Sequence, residues 1–237
     1  MNVKYSLVIP CFNEEKNIDH LILSCKNILN TPHFELILVN NGSIDNTFKK
    51  ITKHTKNYQN IRCINIEKNI GFGFGVFTGL SHALGKIIGY THADLQTDPN
   101  DFLKAVKIIE QNSSNNKNFF VKGLRHGRSY KDIFFTRSMT VIMSVLFFRY
   151  MFDITAQPVV FNRELLNKCK FFPKNFTIDL YLYYLAKRHK YSIKRFKVSF
   201  PDRIYGTGNN DTLIKKIKNS ILVMFQSIIL RYKTLSK

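Results

Sequence analysis

Residues Ile87–Pro99 read IIGYTHADLQTDP. The apolar run Ile87–Tyr90 has the length and composition of a short buried strand, and it gives way at once to polar residues. His92, Asp94 and Gln96 follow at spacing two. If the chain stays extended, these three side chains leave on one side, an arrangement suited to holding a divalent ion beside a phosphate. The stretch also reads as a helix start, with Asp98-Pro99 opening a helix at Asn100 and the acids capping it. The two readings are compatible.

Other strand ends have the same form. Tyr5–Ile9 ends in Pro10-Cys11-Phe12-Asn13-Glu14-Glu15. Phe34–Val39 ends in Asn40-Asn41-Gly42-Ser43-Ile44-Asp45-Asn46-Thr47, and Ile61–Ile66 runs into the glycine series Gly71, Gly73, Gly75. Apolar strands that alternate with polar loops and helical patterns predict an α/β domain with a mostly parallel sheet. Such sheets bind nucleotides at the carboxyl ends of their strands. The glycine series is not a dinucleotide fingerprint, because it does not follow the first strand and lacks the acidic residue downstream. From Phe74 the pattern turns helical, with Phe77, Leu80 and Leu84 as its buried stripe.

Taken together and in order, IPCFNEE (9–15), NNGSIDNT (40–47), NIGFGFGVFTGL (69–80) and HADLQTDP (92–99) resemble the motifs of family 2 glycosyltransferases of the single-nucleotide-fold class. Within that family the chain is similar to the dolichyl-phosphate, or polyprenyl-phosphate, mannose synthase branch, from Tyr5 to about Gly208. The resemblance implies a Rossmann-like nucleotide-diphospho-sugar transferase domain with a mostly parallel central sheet. It implies that Pro10 and Asn13 lie against the nucleotide, that Glu14 or Glu15 approaches base and ribose, and that Asn40 faces one of these. Asn69 and Gly71 would hold a tight loop, with Gly73 and Gly75 admitting nucleotide or phosphate. Asp94 and Gln96 match the positions that help hold Mn²⁺ or Mg²⁺, with Asp94 central to catalysis.

Two departures from the family pattern bear on the chemistry. Asn40 and Asn41 replace the usual paired acids; an amide donates as well as accepts, which weakens any base preference inferred from relatives. His92 replaces the first acid of the metal motif. A neutral imidazole can ligate the ion or bond a phosphate but adds no negative charge, so weaker metal affinity is expected. Read from the residues alone, Glu14 and Glu15 are the first turn of a helix reaching about Leu29, and Asp45 caps the helix beginning near Asn46.

In the second half, a strand at Phe119–Lys122 leads into Gly123-Leu124-Arg125-His126-Gly127-Arg128. Arginines in a strand-end loop suit a diphosphate or an acceptor phosphate, and the resemblance implies a lipid phosphate at Arg125 and Arg128. The apolar run Met139–Phe148, extended by Tyr150–Phe152, is too short to span a bilayer. It reads as a buried helix or one at a membrane or dimer surface. Asp153 and Asp179 are the candidates for the acid that relatives place near the sugar. Asp179 is the more suitable base if a protein base is used, and a structural ion pair is its plainer reading. After a strand at Ile193–Phe200, Arg203 and Gly206 match a family loop that closes over the diphosphate. The Leu213–Tyr232 tail is amphipathic, a pattern that peripheral membrane contact, packing on the core or a homodimer would each produce.

The 237 residues carry a formal charge of +20, unevenly placed: 13 Lys/Arg against 10 Asp/Glu in residues 1–118, and 23 against 6 in residues 119–237. No nucleic-acid recognition signature accompanies the basic half, which is expected to meet an anionic membrane surface. Four cysteines without metal-binding spacing read as core residues of a reducing compartment. The N-terminus enters strand periodicity too early for a signal peptide. The expected organisation is a transferase domain at 1–208, with a nucleotide-sugar half (1–118) and an acceptor half (119–208), then a basic helical tail at 209–237. The expected function is inverting transfer from a nucleotide-diphosphate sugar to a polyprenyl phosphate by a cytoplasmic enzyme peripheral to a membrane. Transfer to a hydroxyl of a surface or lipid-linked glycan is the alternative, and a non-catalytic membrane adaptor is the third reading.

Overall fold

The computed structural model describes residues 2–112, 118–201 and 213–235. One seven-stranded sheet runs in the order β3-β2-β1-β4-β6-β5-β7. Its strands are β1 Tyr5–Cys11, β2 Phe34–Asn41, β3 Ile61–Ile66, β4 Ile87–Tyr90, β5 Phe119–His126, β6 Val159–Asn162 and β7 Ser192–Ser199. Only β6 runs against the rest, pairing antiparallel with both β4 and β5. The sheet therefore crosses the expected division at residue 118; the boundary at 208 lies outside the described residues.

The described residues form eight α-helices around the sheet: α1 Ile18–Ser24, α2 Lys26–Leu29, α3 Thr47–Asn57, α4 Phe72–His82, α5 Asp101–Asn112, α6 Tyr130–Phe147, α7 Thr177–Arg188 and α8 Leu213–Leu235. With both faces covered, the inner strands read as unbroken apolar runs rather than alternating ones. Alternation still sorts the side chains. Leu7, Ile9, Leu36 and Leu38 pack with α1 and α5, while Val8, Ile37, Val39 and Ile88 pack with α4 and α7 on the other face.

Three expected helix limits shift, each for a local reason. The helix expected from Glu14 to Leu29 starts at Ile18 and is broken at Cys25. Asn13 takes a left-handed φ of 55°, and the Glu14 carbonyl accepts from the Asn17 and Ile18 amides, so both glutamates sit in a turn ahead of α1. Because α4 ends at His82, Leu84 lies outside the helix and is 56% exposed instead of buried. The apolar run at 139–148 is only the second half of α6, which opens at Ser129, whose hydroxyl accepts from the Asp132 amide.

Helix α8 packs on α6 and α7 through Ser227, Leu230 and Thr234. Arg231 anchors it, donating to the Tyr184 hydroxyl at 3.1 Å and lying over the rings of Phe147 and Tyr184. Its more apolar side, including Ile217, Ile221, Phe225 and Ile228, faces outward. Helix α6 likewise exposes Tyr130, Phe134, Val141 and Val145. No described helix is long and apolar enough to cross a membrane.

The chain steps outward from β1 to β2 to β3, then returns to place β4 on the other side of β1. Strand order thus reverses at the β1–β4 pair. Loops leaving these two carboxyl ends diverge and open a crevice, the usual ligand position in open α/β sheets. The stretch after β4 lies at this switch point.

Candidate active site

On one side of the crevice the loops after β1 and β2 are stitched together. The Asn13 amide donates to Ser43 Oγ at 3.1 Å and Asn13 Oδ1 accepts from the Ile44 amide at 3.0 Å. The Glu14 amide donates to Thr47 Oγ1 at 2.8 Å, and the Glu15 amide to Asp45 Oδ2 at 3.1 Å. The two glutamates serve this clasp: Glu14 Oε2 accepts from Asn17 Nδ2, and Glu15 Oε1 accepts from Asn46 Nδ2 at 2.9 Å. Asp45 also accepts from the Thr47 amide at 3.0 Å. Burial alone would raise its pKa, but hydrogen bonds from Thr47 and Glu15 outweigh that and hold it below the ordinary carboxylate value. The structural reading of Asp45 fits this geometry. Pro10, expected in the loop, lies within β1 opposite Val39.

Asn40 is buried at the end of β2, directly across from Asn65 on β3. Its Nδ2 donates to Asn65 Oδ1 at 2.7 Å and its Oδ1 accepts from the Ser43 amide at 3.3 Å. A carboxylate could not make the first bond. The amide at position 40 is thus matched by an amide at position 65, a partner the motif reading did not name. Asn69 Oδ1 accepts from the Gly71 amide at 2.8 Å, and the Gly71 carbonyl accepts from Asn41 Nδ2 at 3.2 Å, so these residues hold the expected tight loop. The φ of 128° at Gly71 suits glycine. Gly73 and Gly75 do not open room for a phosphate. A Cβ at Gly73 would strike the carbonyls of Pro173 and Asn175, and one at Gly75 would strike the Asn41 side chain.

Beyond β4 the chain does not stay extended: Leu95 adopts a left-handed φ of 59°. The turn falls after Asp94, so Gln96 leaves the one-sided alternation that the spacing predicts for His92, Asp94 and Gln96. The His92 ring packs on Phe72 at 5.0 Å between centroids, and Phe72 stacks on Phe176 at 4.9 Å. Asp94 is 7% exposed and its Oδ1 accepts from the Gln96 amide at 3.2 Å. Gln96 Nε2 donates to the Pro201 carbonyl at 3.2 Å, linking this loop to the exit of β7. Arg203 and Gly206, two residues and more beyond, lie outside the described residues.

Among the described residues no three His, Cys, Asp or Glu side chains gather as a metal cluster. One carboxylate at a strand end, with an amide side chain two residues on, still fits a Mn²⁺ or Mg²⁺ ion that takes its remaining ligands from a diphosphate. His92 packs its ring on Phe72, and a neutral imidazole would bring no negative charge to the ion.

The other side of the crevice is built from charge. Arg125 donates from Nε at 3.0 Å and from Nη2 at 2.5 Å to Asp153 Oδ1, and its backbone amide donates to Oδ2 at 3.2 Å. Arg128 reaches the same carboxylate at 3.8 Å and donates to Thr136 Oγ1 at 2.9 Å. Burial pushes the Asp153 pKa upward, yet the charges and hydrogen bonds of Arg125, helped by Arg128, bring it below the ordinary value. The expected phosphate-binding arginines are thus brought together by Asp153, which serves as their counter-ion. Asp179 is only 1% exposed at the start of α7, where the Tyr90 hydroxyl donates to its Oδ1. Burial raises its pKa against the pull of Lys122 and of that hydrogen bond.

Four residues of this side escaped the motif reading. Lys122 is fully buried within β5, with Nζ donating to the Ile154 carbonyl at 2.7 Å. Arg195, from β7, donates to the carbonyls of Phe152 and Gly123. Tyr90 ends β4 on Asp179. Gln157 is buried with neither amide atom bonded, and Arg128 Nε beside this segment is also without a partner. A lysine inside the apolar run FFVKGL is one visible signal, and Gln157 lies in the segment Asp153–Pro158 that resembles the family's acceptor side; nothing in the sequence links the other two to the site.

Residues 6–169 match the sequence profile of Glycosyl transferase family 2. A dolichyl-phosphate beta-glucosyltransferase of Trichomonas vaginalis is 33% identical over 127 residues, covering 51% of this chain and 38% of that protein. A dodecaprenyl-phosphate galacturonate synthase of Rhizobium johnstonii is 32% identical over 113 residues, covering 46% and 33%. Matched stretches cover 32% to 40% of such relatives, so the chain spans well under half of their length. Their names do not single out the mannose synthase branch. A glucosyl-3-phosphoglycerate synthase of Mycobacterium tuberculosis, solved with Mn²⁺, UDP and glucosyl-3-phosphoglycerate, superposes with a TM-score of 0.70 at 17% identity, covering 98% of this chain and 79% of that one.

Proposed function

The chain belongs to glycosyl transferase family 2, and from that membership we propose that it moves a sugar from a nucleotide-diphosphate sugar to a polyprenyl phosphate, inverting the anomeric carbon. The observation that carries the acceptor is the Arg125–Asp153–Arg128 cluster at the carboxyl end of β5. Three features then fall into place. The clasp between the first two loops supports the nucleotide. Asp94 and Gln96 stand at the switch point, where Mn²⁺ or Mg²⁺ would neutralise charge growing on the leaving diphosphate. Asp179, shielded and bonded to Tyr90, is poorly placed to take a proton from an acceptor, and a phosphate already ionised at neutral pH needs no base. The outward apolar sides of α6 and α8, on a half of net charge +17, suit peripheral contact with an anionic membrane carrying such a lipid; a homodimer would cover the same surface.

The second reading is transfer to an acceptor hydroxyl. It draws support from the near-complete overlay on the phosphoglycerate enzyme, a broader likeness than the partial matches to lipid-phosphate enzymes. In that case Asp179 is the base, its raised pKa suits proton abstraction, and Tyr90 must release it. A panel of nucleotide sugars, assayed with Mn²⁺ against a short polyprenyl phosphate, phosphoglycerate and a neutral oligosaccharide, tests both readings. Transfer only to the prenyl phosphate is expected. Transfer confined to a hydroxyl acceptor, abolished in Asp179→Asn, would replace the first reading with the second, and no turnover of any donor would leave the adaptor reading.

A further inference from the structure

Lys122 has no role in the chemistry above, yet it occupies the most enclosed charged position of the acceptor side. Its side chain is wholly buried within β5. Its Nζ donates to the Ile154 carbonyl at 2.7 Å and lies 5.7 Å from the centre of the Tyr183 ring. Asp179 acts on it from α7, Asp153 from the segment before β6, Arg195 from β7 and Arg125 from its own strand. Burying an ammonium is costly, and a methionine would fill similar space without that penalty. What the ammonium supplies is a tie to segment 153–157 and a unit of positive charge close to Arg125.

We propose that Lys122 is a positioning residue for an anionic acceptor: through Ile154 it fixes the segment carrying Asp153, which orients Arg125, and its charge strengthens the field in which Arg125 and Arg128 receive the acceptor head. This rests on the lipid-phosphate reading and assigns the regulation of that same site. Burial lowers the Lys122 pKa from 10.5 to about 7, opposed by Asp179 and Asp153 and reinforced by Arg195 and Arg125. The ammonium is therefore charged below that pH and neutral above it. Acceptor binding should weaken as pH rises through neutrality, while nucleotide binding on the other side of the crevice should not follow.

The test is equilibrium binding of a short prenyl sulfate to the whole chain from about pH 6 to about pH 8.5. A phosphate monoester changes charge near pH 6, whereas a sulfate monoester keeps one charge throughout. The wild type should lose roughly fivefold in affinity across this range, as expected for one unit charge acting through about 10 Å of partly screened protein. Lys122→Met should bind at the weak limit at every pH. Lys122→Arg, which stays charged, should hold the tight limit. If the guanidinium unsettles the core, as melting would reveal, the wild type and the methionine variant decide between them. A flat wild-type profile, or a pH limb that survives in Lys122→Met because another group such as His126 carries it, would overturn the proposal. Failure of the prenyl sulfate to bind at any pH, with nucleotide binding intact, would overturn the acceptor reading and this inference with it.

Discussion

The donor and acceptor sides of the crevice sit on one sheet edge but are held by different forces. At the ends of β1 and β2 the loops are joined by short polar side chains bonded to backbone amides, such as Asn13 to Ile44 and Asp45 to Glu15. Along β5 and β7 the joints are enclosed ions: Arg125 on Asp153, Lys122 beneath Ile154, Arg195 on Phe152. The first arrangement turns its carboxylates, Glu14, Glu15 and Asp45, onto amide donors of the loops themselves. The second concentrates positive charge where the proposed acceptor phosphate would be received, and depends on each ion keeping its partner. Substitutions should therefore be tolerated differently on the two sides.

The largest effect should come from the point between them. Asp94→Ala removes the carboxylate proposed to hold the metal and should lower turnover about a thousandfold, ~4 kcal/mol, while the unfolding midpoint stays near that of the wild type. Initial rates over a Mn²⁺ titration check this. Activity within threefold of wild type would show that the donor side does not work through a metal at Asp94.

Next in size is the stability contrast between a buried aspartate and a half-buried one. Asp153→Ala leaves Arg125 and Arg128 without their counter-ion and should cost about 3 kcal/mol in urea unfolding. Asp45→Ala, on the amide-bonded clasp, removes a helix-start bond and should cost about 1 kcal/mol. The pH dependence has a definite sign. Asp153 is held below its unfolded value, so its contribution is present above that value and lost as pH falls through the folded one. Equal costs for the two variants would erase the distinction between an ion-paired and an amide-bonded scaffold.

A third measurement sharpens the same contrast through Lys122. Its folded pKa of about 7 lies below 10.5, so between these values the unfolded chain binds more protons and stability rises with pH, by at most about 1.4 kcal/mol per unit. Comparing wild type and Lys122→Met in urea at pH 7 and pH 8.5 isolates this slope. The variant should lack it; a slope common to both would assign it elsewhere.

How far the sequence was legible follows the same division. β1 to β4 and their loops could be placed because each is a short contiguous stretch: an apolar run, a break, then polar residues within a few positions. The clasp residues Asn13, Ser43 and Asp45 lie inside those stretches. The acceptor side joins residues far apart in the chain, Tyr90 to Asp179 and Arg125 to Asp153, and no local spacing announces such pairs. Spacing also misled where a single backbone torsion intervened. Leu95 turns left-handed, so Gln96 drops out of the period-two pattern it shares with His92 and Asp94. Gly73 and Gly75 read as room for a ligand because glycine marks close approach, but what approaches is Pro173–Asn175 and Asn41, contacts only the tertiary fold reveals.

The smallest effect on folding should come from the outer surface of the acceptor side. Ile221 and Phe225 on α8 are about half exposed, while Ser227, Leu230 and Thr234 of the same helix are buried against α6 and α7. Replacing both outer residues by serine therefore removes little packing within the chain, and stability should change by no more than about 0.5 kcal/mol per site. Contact with a lipid surface depends instead on that face, where apolar side chains enter the interface and nearby lysines attract anionic head groups. Co-sedimentation with vesicles rich in anionic lipid should fall in the double variant, and wild-type binding should weaken with added salt. If the variant sediments like wild type while its solution mass halves, the outer face of α8 joins two copies of the chain. If neither changes, the charge contrast between the two sides ends at the crevice and does not extend to a membrane.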